Sequence, residues 1–222
     1  MIELVIVGAG GHGRQLLDLV DAHNRVAQPT YRFLGFLDDG PVDLDLLARR
    51  GTRLLGPSAR LAELDPDIAC AVAVADPAVR RRLDATARAT GREASSFRHP
   101  TAVVGSLFEH GPGLFLSAGV IIDTNVAVGR QFHINLGASV GHESRIGDHV
   151  TITPGVRIGG NCTLGDDGFF GANASVVPGV TIGDRVVVGA NVVVRHDLPS
   201  DVVFTGHDRP LRSTLAPHRP AP

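Results

Sequence analysis

The second half of the chain repeats a pattern of apolar positions with a period of six residues. Every sixth residue from Val104 to Val194 belongs to a series of sixteen positions, of which fifteen are apolar and only His110 is polar. A further small or apolar residue stands two places before most of them, as Val126 and Ala138 do. Two inward-facing positions separated by two residues are typical of a short strand with one buried face. The pattern therefore predicts a repeated unit of one short strand and one corner.

Six residues cannot bury an apolar face alone, so such units must be stabilised by stacking. Successive turns of a β-helix stack in this way, whereas the loops of a β-sandwich vary in length and break a strict period within a few strands. Here the register continues for about 90 residues without an insertion, so we expect a β-helix. Glycine follows ten of the sixteen positions, which fits corners that need either a positive φ or a close approach of two backbones.

A strand, a glycine-rich turn and a helix follow one another at the start of the chain. Residues 2–7 predict a buried strand, residues 8–13 (Gly-Ala-Gly-Gly-His-Gly) a turn, and residues 14–20 an amphipathic helix. Such a turn lets backbone N–H groups and a helix N-terminus approach a phosphate group. A dinucleotide-dependent dehydrogenase and a turn with a purely structural role are the other interpretations of this spacing.

Two more apolar runs complete a βαβ arrangement. Residues 32–37 predict a strand that ends in an Asp-Asp-Gly turn, and residues 68–75 predict a third strand. Asp76 and Pro77 then form an N-cap and first-turn pair for a helix that runs to Thr90. A full dinucleotide fold needs two such halves, and only about 98 residues precede the repeat. A mononucleotide, as in a nucleotide sugar, is therefore the favoured ligand of the glycine turn.

Composition narrows the possible chemistry. All 21 basic residues are Arg, which excludes Schiff-base chemistry, a lysine nucleophile and a GxxxxGK[ST] phosphate loop. A net charge of -2 without a basic tract offers no footprint for nucleic acid or an anionic membrane, and the longest apolar run, residues 68–75, is too short to span a bilayer. We expect a cytoplasmic protein in which Cys70 and Cys162 are small core residues.

The repeat resembles that of the hexapeptide-repeat acyltransferases. The resemblance implies a left-handed parallel β-helix with three hexapeptides per triangular coil, and a homotrimer with active sites between neighbouring helices. The order of glycine turn, Phe-Leu-Asp-Asp motif, third strand and β-helix covers residues 2 to about 212. This order is similar to that of the sugar O-acyltransferases of the sialic-acid O-acetyltransferase type, which include bacterial N-acetyltransferases of nucleotide-linked 4-amino sugars.

The resemblance also implies a substrate site in an α/β half-Rossmann N-terminal domain. In the relatives, residues of the glycine turn contact the nucleotide sugar, and paired aspartates after the second strand are placed to read hydroxyl groups of the base or sugar. The end of the third strand, where relatives usually have Gly-Asn, is Ala-Asp here. The matching positions in this chain are Gly10, Gly11, His12, Asp38, Asp39 and Ala75.

His142 is the candidate general base. It stands in the corner sequence Val-Gly-His-Glu-Ser, where a repeat otherwise has unremarkable turn residues. Acyl transfer from a thioester needs a base for the proton of the attacking amine or hydroxyl, and an imidazole with an unperturbed pKa of about 6.5 suits that task. The residues alone leave a solvated corner histidine open. The resemblance implies that His142 is the base and that Glu143 increases its basicity, which requires a corner geometry because adjacent strand residues point apart.

Acetyl-CoA is the expected co-substrate. Ala172 and Ala190 each follow a corner glycine and differ by one coil, so they should stack about 4.8 Å apart. Small side chains at these positions would leave backbone amides open to the pantetheine arm of coenzyme A. The resemblance adds a contact at Thr151, where related enzymes often carry His.

Other histidines give further candidates. His133 and His149 flank the His142 corner in the sequence and are candidates for the lining of its cleft. A zinc hydrase also uses a left-handed β-helix, but its three histidines must converge on one metal. Of the histidines in the repeat, only His142 and His196 share a column, about 14 Å apart. We therefore expect no metal and no permanently bound cofactor.

The sequence as a whole predicts three segments. These are a βαβ nucleotide-sugar-binding domain at 1–98, a left-handed β-helix at 99–195 and a C-terminal extension with a tail at 196–222. The expected activity is acetyl-CoA-dependent N-acetylation of a nucleotide-linked amino sugar by a homotrimer without nucleic-acid or membrane partners. Two alternatives stay open: O-acetylation of a sialic acid or similar sugar, and a catalytically silent scaffold that binds nucleotide sugars.

Overall fold

The N-terminal part of the chain is an α/β domain with one parallel sheet. The structure, a computed structural model, describes residues 1–206. In chain order the elements of this domain are β1 (Ile2–Val7), α1 (Gly11–Asn24), β2 (Tyr31–Leu37), α2 (Leu44–Arg49), β3 (Leu54–Gly56), a 3-10 helix (Ser58–Glu63), β4 (Ala69–Val72) and α3 (Pro77–Ala89). The strands lie in the order β3-β2-β1-β4, so β2 and β4 flank the central strand β1. Leu4, Val5 and Ile6 of β1 are fully buried, as expected for a strand covered on both faces.

The three predicted strands and the predicted cap of α3 are confirmed. Asp76 caps α3, because its side chain accepts a hydrogen bond from the backbone nitrogen of Val79 at 2.9 Å. Two details differ from the prediction. α1 begins at Gly11, inside the glycine turn, because the turn packs tightly against the sheet and holds these residues in a helix that their low propensity does not favour. β3 consists of three half-buried residues at the sheet edge, which is too short for a periodic signal.

Short parallel strands between residues 97 and 204 form the β-helix, with three sheets that we call faces A, B and C. Face A contains β5 (Phe97–Arg98), β8 (Phe115–Leu116), β11 (His133–Ile134), β14 (Thr151–Ile152), β17 (Phe169–Phe170), β20 (Val187–Val188) and β22 (Val203–Phe204). Face B contains β6 (Val103–Val104), β9 (Ile121–Ile122), β12 (Ser139–Val140), β15 (Arg157–Ile158), β18 (Ser175–Val176) and β21 (Val193–Val194). Face C contains β7 (Glu109–His110), β10 (Ala127–Val128), β13 (Arg145–Ile146), β16 (Thr163–Leu164) and β19 (Thr181–Ile182).

The strand register confirms the predicted coil of three hexapeptides. His133 pairs with Thr151 on face A, Ser139 with Arg157 on face B, and residue 145 with residue 163 on face C, so each partner lies one coil further along the chain. We name the corners after the faces that they join. Corner AB contains residues 136, 154, 172 and 190, corner BC contains residues 124, 142, 160 and 178, and corner CA contains residues 130, 148, 166 and 184.

The apolar series forms the interior of this prism. All its members from Leu116 to Val194 are buried, whereas Val104 is half-buried and His110 is exposed in the first coil. The small residues two places earlier are buried with them, including Cys162. The final coil is shorter, since β22 pairs with β20 and Leu198 bridges to Ile182. The helix thus continues to residue 204, and residues 207–222 of the expected C-terminal extension and tail lie outside the described residues.

Close backbone approach and a positive φ, the two corner requirements that the sequence did not distinguish, occur at two different positions of each corner. The glycines that follow the apolar series provide close backbone approach: a Cβ at Gly171 would lie 2.5 Å from the backbone nitrogen of Ala190 in the next coil. The positive φ occurs two residues later, at every sixth residue from Leu107 to Asn191. Glu143, with a φ of 54°, belongs to this second series.

None of the helices within residues 1–206 is long and apolar enough to cross a membrane.

Gly171→Ala is expected to destabilise the β-helix, with Gly189→Ala as its matched control. The two glycines occupy the same corner position in successive coils, but at Gly189 the nearest atom to an added Cβ is 3.4 Å away. We expect Gly171→Ala to lower the free energy of unfolding by about 1–3 kcal/mol because of overpacking. Gly189→Ala should change it by less than about 1 kcal/mol. Thermal unfolding followed by circular dichroism measures both, and equal stability of the two variants would contradict the close-approach role.

Candidate active site

A cavity of about 590 Å³ opens at the carboxyl ends of β1, β2 and β4. The chain leaves β1 for β2 on one side and reaches β4 on the other, so the cavity lies at a topological switch point of the sheet, where α/β folds bind ligands. The structure brings together here all six residues that were predicted for the substrate site: Gly10, Gly11, His12, Asp38, Asp39 and Ala75.

The glycines of the turn have two different functions. Gly8 and Gly13 are required by packing, because a Cβ would lie 2.6 Å from the Ala73 carbonyl oxygen at Gly8 and 1.8 Å from the Gly8 carbonyl oxygen at Gly13. No atom lies within 4 Å of a Cβ added at Gly10 or Gly11, which face the cavity. No side chain caps the N-terminus of α1. Its first backbone N–H groups are therefore open to an anion, such as a phosphate.

Both aspartates after β2 are hydrogen-bonded within the protein. Asp38 accepts hydrogen bonds from the backbone nitrogens of Ala9, at 2.6 Å, and Gly40, at 2.8 Å. Asp39 accepts from the backbone nitrogen and the hydroxyl of Ser58, both at 2.7 Å, and these bonds lower the pKa of Asp39. A carboxylate has about four acceptor positions, so each keeps capacity for a ligand while it fixes the cavity wall.

The His142 side chain and that of Glu143 meet at corner BC. The His142 Nδ1–H donates to Glu143 Oε2, and both side chains are about half exposed. The positive φ of Glu143 supplies the corner geometry that brings two adjacent side chains to the same side. The imidazole lies over Gly160 of the next coil, where a Cβ would be 2.7 Å from Nε2 of the ring. The pair is therefore accessible, and the glycine makes room for it.

The three corners differ in whether their backbone N–H groups are used. At corner CA the Asp148 carboxylate accepts from the nitrogen of Arg130 at 2.9 Å, Asp166 from that of Asp148 at 2.8 Å, and Asp184 from that of Asp166 at 2.9 Å. We call this series the aspartate ladder. In the described part of the chain, the nitrogens of Ala172 and Ala190 at corner AB and those of His142 and Gly160 at corner BC donate no hydrogen bond.

Thr151, His133 and His149 lie elsewhere, in the interface between the N-terminal domain and face A. The Thr151 hydroxyl donates to the Ala75 carbonyl oxygen at 2.7 Å and accepts from Arg80 at 2.8 Å, and its side chain is buried. It therefore supports the cavity wall and does not reach the corner of Ala172 and Ala190. The expectation that His133 and His149 line the cleft of His142 is wrong, because both are 1% exposed beneath α1 and α3.

The cavity and the His142 pair lie on opposite sides of one chain. The N-terminal domain covers face A, through contacts such as Gln15 with Asn135 and Arg81 with Asp167. Corner BC is the vertex of the triangular coil that face A does not touch. A single chain therefore does not bring the cavity and the candidate base together.

Comparisons with known proteins match both parts of the chain. The PglD N-terminal domain family matches residues 3–85, and the hexapeptide repeat of succinyl-transferase matches residues 137–165 and 163–195. The solved structure of a His-to-Asn variant of perosamine N-acetyltransferase from Caulobacter crescentus, in complex with CoA and GDP-perosamine, is 32% identical. That match covers 90% of this chain and 91% of the other, with a TM-score of 0.81. The chain belongs to the hexapeptide-repeat sugar acyltransferases.

Two other relatives support the assignment of this acyltransferase to the family. The acetyltransferase domain of PglB from Neisseria gonorrhoeae is 27% identical, with a TM-score of 0.78 over 90% of this chain and 94% of that chain. The GDP-perosamine N-acetyltransferase of Escherichia coli O157:H7 is 30% identical over 158 residues, which are 70% of this chain and 69% of the relative. The predicted fold, an α/β N-terminal domain followed by a left-handed parallel β-helix, is confirmed.

Sequence reasoning missed two charged residues of the acyltransferase that lie in the domain interface. Arg80 and Asp84, both on α3, have 0% exposure. Arg80 donates to the carbonyl oxygens of Val74 and Ala75 as well as to Thr151, and thereby ties the cavity wall to the β-helix. A signal for this interface exists in the repeat. The outward-facing residues of face A include three phenylalanines, whereas the other two faces carry none, and the first four of the series are buried: Phe97, Phe115, His133, Thr151, Phe169 and Val187.

Asp84 is the centre of the charge balance in this interface. Burial alone would raise its pKa, but hydrogen bonds from His149, Arg130 and Gln131 together hold the pKa well below its usual range. The Arg130 guanidinium contacts both carboxylate oxygens, at 2.7 and 3.0 Å. Within residues 1–206, no group of three His, Cys, Asp or Glu side chains is arranged to hold a metal ion.

Asp84→Asn is expected to weaken the domain interface at neutral pH. A lowered folded-state pKa means that the carboxylate stabilises the fold fully above its unfolded pKa of about 3.9, and that this contribution is lost as the pH falls through the folded value. The variant should lose about 1–3 kcal/mol of unfolding free energy at neutral pH. Urea unfolding should show a constant difference from about pH 5 to 7 and a smaller one below about pH 4. A difference that grew in acid would contradict this assignment.

Proposed function

We propose that this acyltransferase transfers the acetyl group of acetyl-CoA to the amino group of a nucleotide-linked amino sugar. The relatives named for this reaction, including the one in complex with CoA and GDP-perosamine, support the choice of substrates. The observation that carries the proposal is the pairing of two surfaces in one fold. One is a cavity built around an uncapped helix N-terminus, and the other is an exposed His–Glu pair beside unused backbone N–H groups.

The nucleotide sugar binds in the cavity of the N-terminal domain. Its diphosphate lies against Gly10, Gly11 and the first N–H groups of α1, where open space and the helix dipole favour an anion. Asp38 and Asp39 accept hydrogen bonds from hydroxyl or base N–H groups through their remaining acceptor positions. Ala75 forms the opposite wall, held in place by Thr151 and Arg80.

Acetyl-CoA is a co-substrate, and no cofactor is bound permanently. Its pantetheine arm runs along corner AB, where the backbone N–H groups of Ala172 and Ala190 match the amide carbonyl groups of the arm. The aspartate ladder excludes corner CA as an alternative track, because the equivalent N–H groups there are already bonded. Because acetyl-CoA and nucleotide sugars are cytoplasmic metabolites, we propose that the enzyme works in the cytoplasm.

His142 acts as the general base. Glu143 accepts from Nδ1, so Nε2 keeps its lone pair and faces the reacting groups. The amine attacks the thioester carbonyl carbon while Nε2 takes its proton, and the N–H of Gly160 beside the ring stabilises the oxyanion. The tetrahedral adduct then breaks its C–S bond, and the imidazolium returns the proton to the leaving thiolate. The products are the N-acetylated sugar and free coenzyme A.

A homotrimer completes this site. Face B joins the corner of Ala172 and Ala190 to the corner of His142, and it exposes Val103, Ile121 and Val193 by 61, 51 and 41%. Val103 and Ile121 are neighbours in successive coils, and adjacent exposed apolar side chains of this kind mark a surface for association. Packing around a three-fold axis brings the His142 corner of one chain to the cavity and the corner AB of another.

His142→Ala should lose most turnover and still bind coenzyme A. Mixing it with a second variant, one that is nearly inactive at sugar concentrations near the wild-type KM, tests whether the site lies between chains. In Gly11→Asp, a carboxylate fills the open space next to the helix N-terminus and repels the phosphates. Refolding the two inactive variants together should restore up to about a quarter of wild-type turnover, because a random trimer pairs an intact His142 with an intact cavity at about one interface in four. Free-thiol release from acetyl-CoA measures turnover.

The outcomes of that experiment separate the alternatives. No recovery in mixed trimers would place His142 and the cavity of one chain in the same site and overturn the arrangement. Near-normal turnover of His142→Ala would overturn the base assignment. Wild-type thiol release with hydroxy sugars and not with amino sugars would favour O-acetylation, and no release with either would favour a silent scaffold.

Gly11→Asp alone should raise the KM for the nucleotide sugar by about a hundredfold or more through lost phosphate contacts. Ala78→Asp is the matched control, since it adds the same charge to the first turn of α3 outside the cavity lining. The acetyl-CoA KM should stay unchanged in both variants. An equal effect of the two substitutions on the sugar KM would show a general charge effect and contradict the proposed phosphate site.

A further inference from the structure

A chain of hydrogen bonds runs through the domain interface from Asp84 to His12. Asp84 Oδ1 accepts from Gln131 Nε2 at 2.7 Å, Gln131 Oε1 lies 3.2 Å from His133 Nε2, and His133 Nδ1 lies 3.0 Å from His12 Nε2. Asp84, Gln131 and His133 are buried, and His12 lines the cavity. The chain therefore connects a fixed buried charge to the cavity of the N-terminal domain.

The direction of every hydrogen bond in this chain follows from its anchored end. The Asp84 carboxylate only accepts, because Arg130 keeps it ionised, so Gln131 must turn its amide nitrogen toward it. The Gln131 carbonyl oxygen then faces His133 and accepts from a protonated Nε2. A neutral His133 thus has its lone pair on Nδ1 and accepts from a protonated Nε2 of His12.

His12 is left with a lone pair on Nδ1. The Gln15 side chain, whose amide is paired with that of Asn135, lies near the His12 ring and raises the pKa of His12 against the effect of burial. Nδ1 itself makes no hydrogen bond with the described residues and is not fully buried. It therefore keeps an accessible surface while the ring lines the cavity.

We propose that Asp84, Gln131 and His133 are positioning residues that hold His12 as a hydrogen-bond acceptor for an N–H or O–H group of the bound sugar. This inference rests on the proposed function, because it assumes that the cavity binds the nucleotide sugar. It assigns to His12 a recognition role that is distinct from the proton transfer of His142. It also predicts the chemical preference of the cavity: a sugar that offers a donor is accepted, and one that offers a keto oxygen at the same position is not.

The surroundings keep both histidines neutral, which this arrangement requires. Burial and the nearby Arg80 guanidinium lower the pKa of His12 to about 4 and that of His133 well below its usual value. His133 is stacked on Phe115, with ring centroids 3.9 Å apart. Gly113 makes room for the Gln131 amide, since a Cβ at Gly113 would lie 2.6 Å from Gln131 Cδ. The hydrogen-bond chain from Asp84 to His12, which we call the relay, is thus enclosed by packed side chains.

The tautomer of His12 is the direct test, and it needs no substrate. Long-range ¹H–¹⁵N correlation spectra of the full chain labelled with ¹⁵N-histidine distinguish a protonated Nε2 from a protonated Nδ1, and His12→Asn assigns the signal. We expect the Nε2-protonated form at neutral pH in the wild type and a mixture of tautomers in Gln131→Met. A protonated Nδ1 or a doubly protonated ring in the wild type would overturn the proposal, whatever reaction the enzyme catalyses.

Kinetics then test the role in recognition. Gln131→Met should raise the KM for the nucleotide amino sugar by about tenfold, the effect of one weakened hydrogen bond, and leave the KM for acetyl-CoA unchanged. Arg81→Met is the matched control, because Arg81 also joins α3 to the β-helix, through Asp166 and Asp167, outside the relay. An equal rise in the sugar KM of both variants, or an unchanged sugar KM in Gln131→Met, would overturn the proposal.

A second substitution keeps the test valid if Gln131→Met does not fold. His133→Asn places an amide oxygen where it can accept from His12 Nε2, whereas His133→Phe keeps the stacking on Phe115 and offers no acceptor. We expect the sugar KM to stay near the wild-type value in His133→Asn and to rise about tenfold in His133→Phe. The same value in both would overturn the proposal. If the wild-type enzyme did not acetylate any nucleotide amino sugar, the proposed function itself would instead be refuted.

Discussion

Hydrogen bonding between each coil and the next holds the β-helix together and determines its chemistry. A two-residue strand such as β12 or β15 has no stability alone, and it gains its backbone partners only from the coils above and below. The fixed register then stacks equivalent positions into columns. The column of His142 and Gly160 holds the proposed base, the column of Ala172 and Ala190 offers open amides, and the aspartate ladder closes the third corner. Stability and function thus depend on the same spacing.

The N-terminal domain is attached to this prism by a polar interface whose main value is geometric. A buried ion pair adds little net stability, since desolvation offsets most of the attraction, but its groups are satisfied in one arrangement only. Arg80 illustrates this, because it bonds to carbonyl oxygens of both the cavity wall and the β-helix, including that of His149 at 2.5 Å. An apolar interface of the same area would tolerate sliding. The polar interface fixes the position of the cavity wall relative to face A, because its hydrogen bonds form only over a narrow range of distances.

The parts of the structure that the sequence predicts well are those that repeat or are local. The buried series from Leu116 to Val194 is visible because its spacing is constant, and the cap of α3 is visible because Asp76 and Pro77 are neighbours. The contact between His142 and Glu143 is also local, although only the positive φ of Glu143 makes it possible.

The domain interface escapes such reasoning because its partners are far apart in the chain. Arg80 and Thr151 are separated by 71 positions, and His12 and His133 by 121. The phenylalanines on the outside of face A indicate which face is covered, but nothing in the local pattern shows which residues of the first domain meet them. The sequence therefore gives no sign that Thr151, expected to contact the coenzyme, is buried beneath α3 in the fold.

The aspartate ladder has a consequence for how this family of sequences can change. Deletion of a single hexapeptide ahead of Asp148 would preserve the apolar series and hence the ability to fold, yet it would turn every later corner by one face relative to the N-terminal domain. The ladder would then close amides at corner BC, where the N–H of Gly160 is proposed to stabilise the oxyanion, and the alanines would open corner CA in place of corner AB. Such a helix can therefore lengthen or shorten during evolution only by whole coils if activity is to be kept. Chimeras of two such helices must likewise be joined at equivalent positions of the coil.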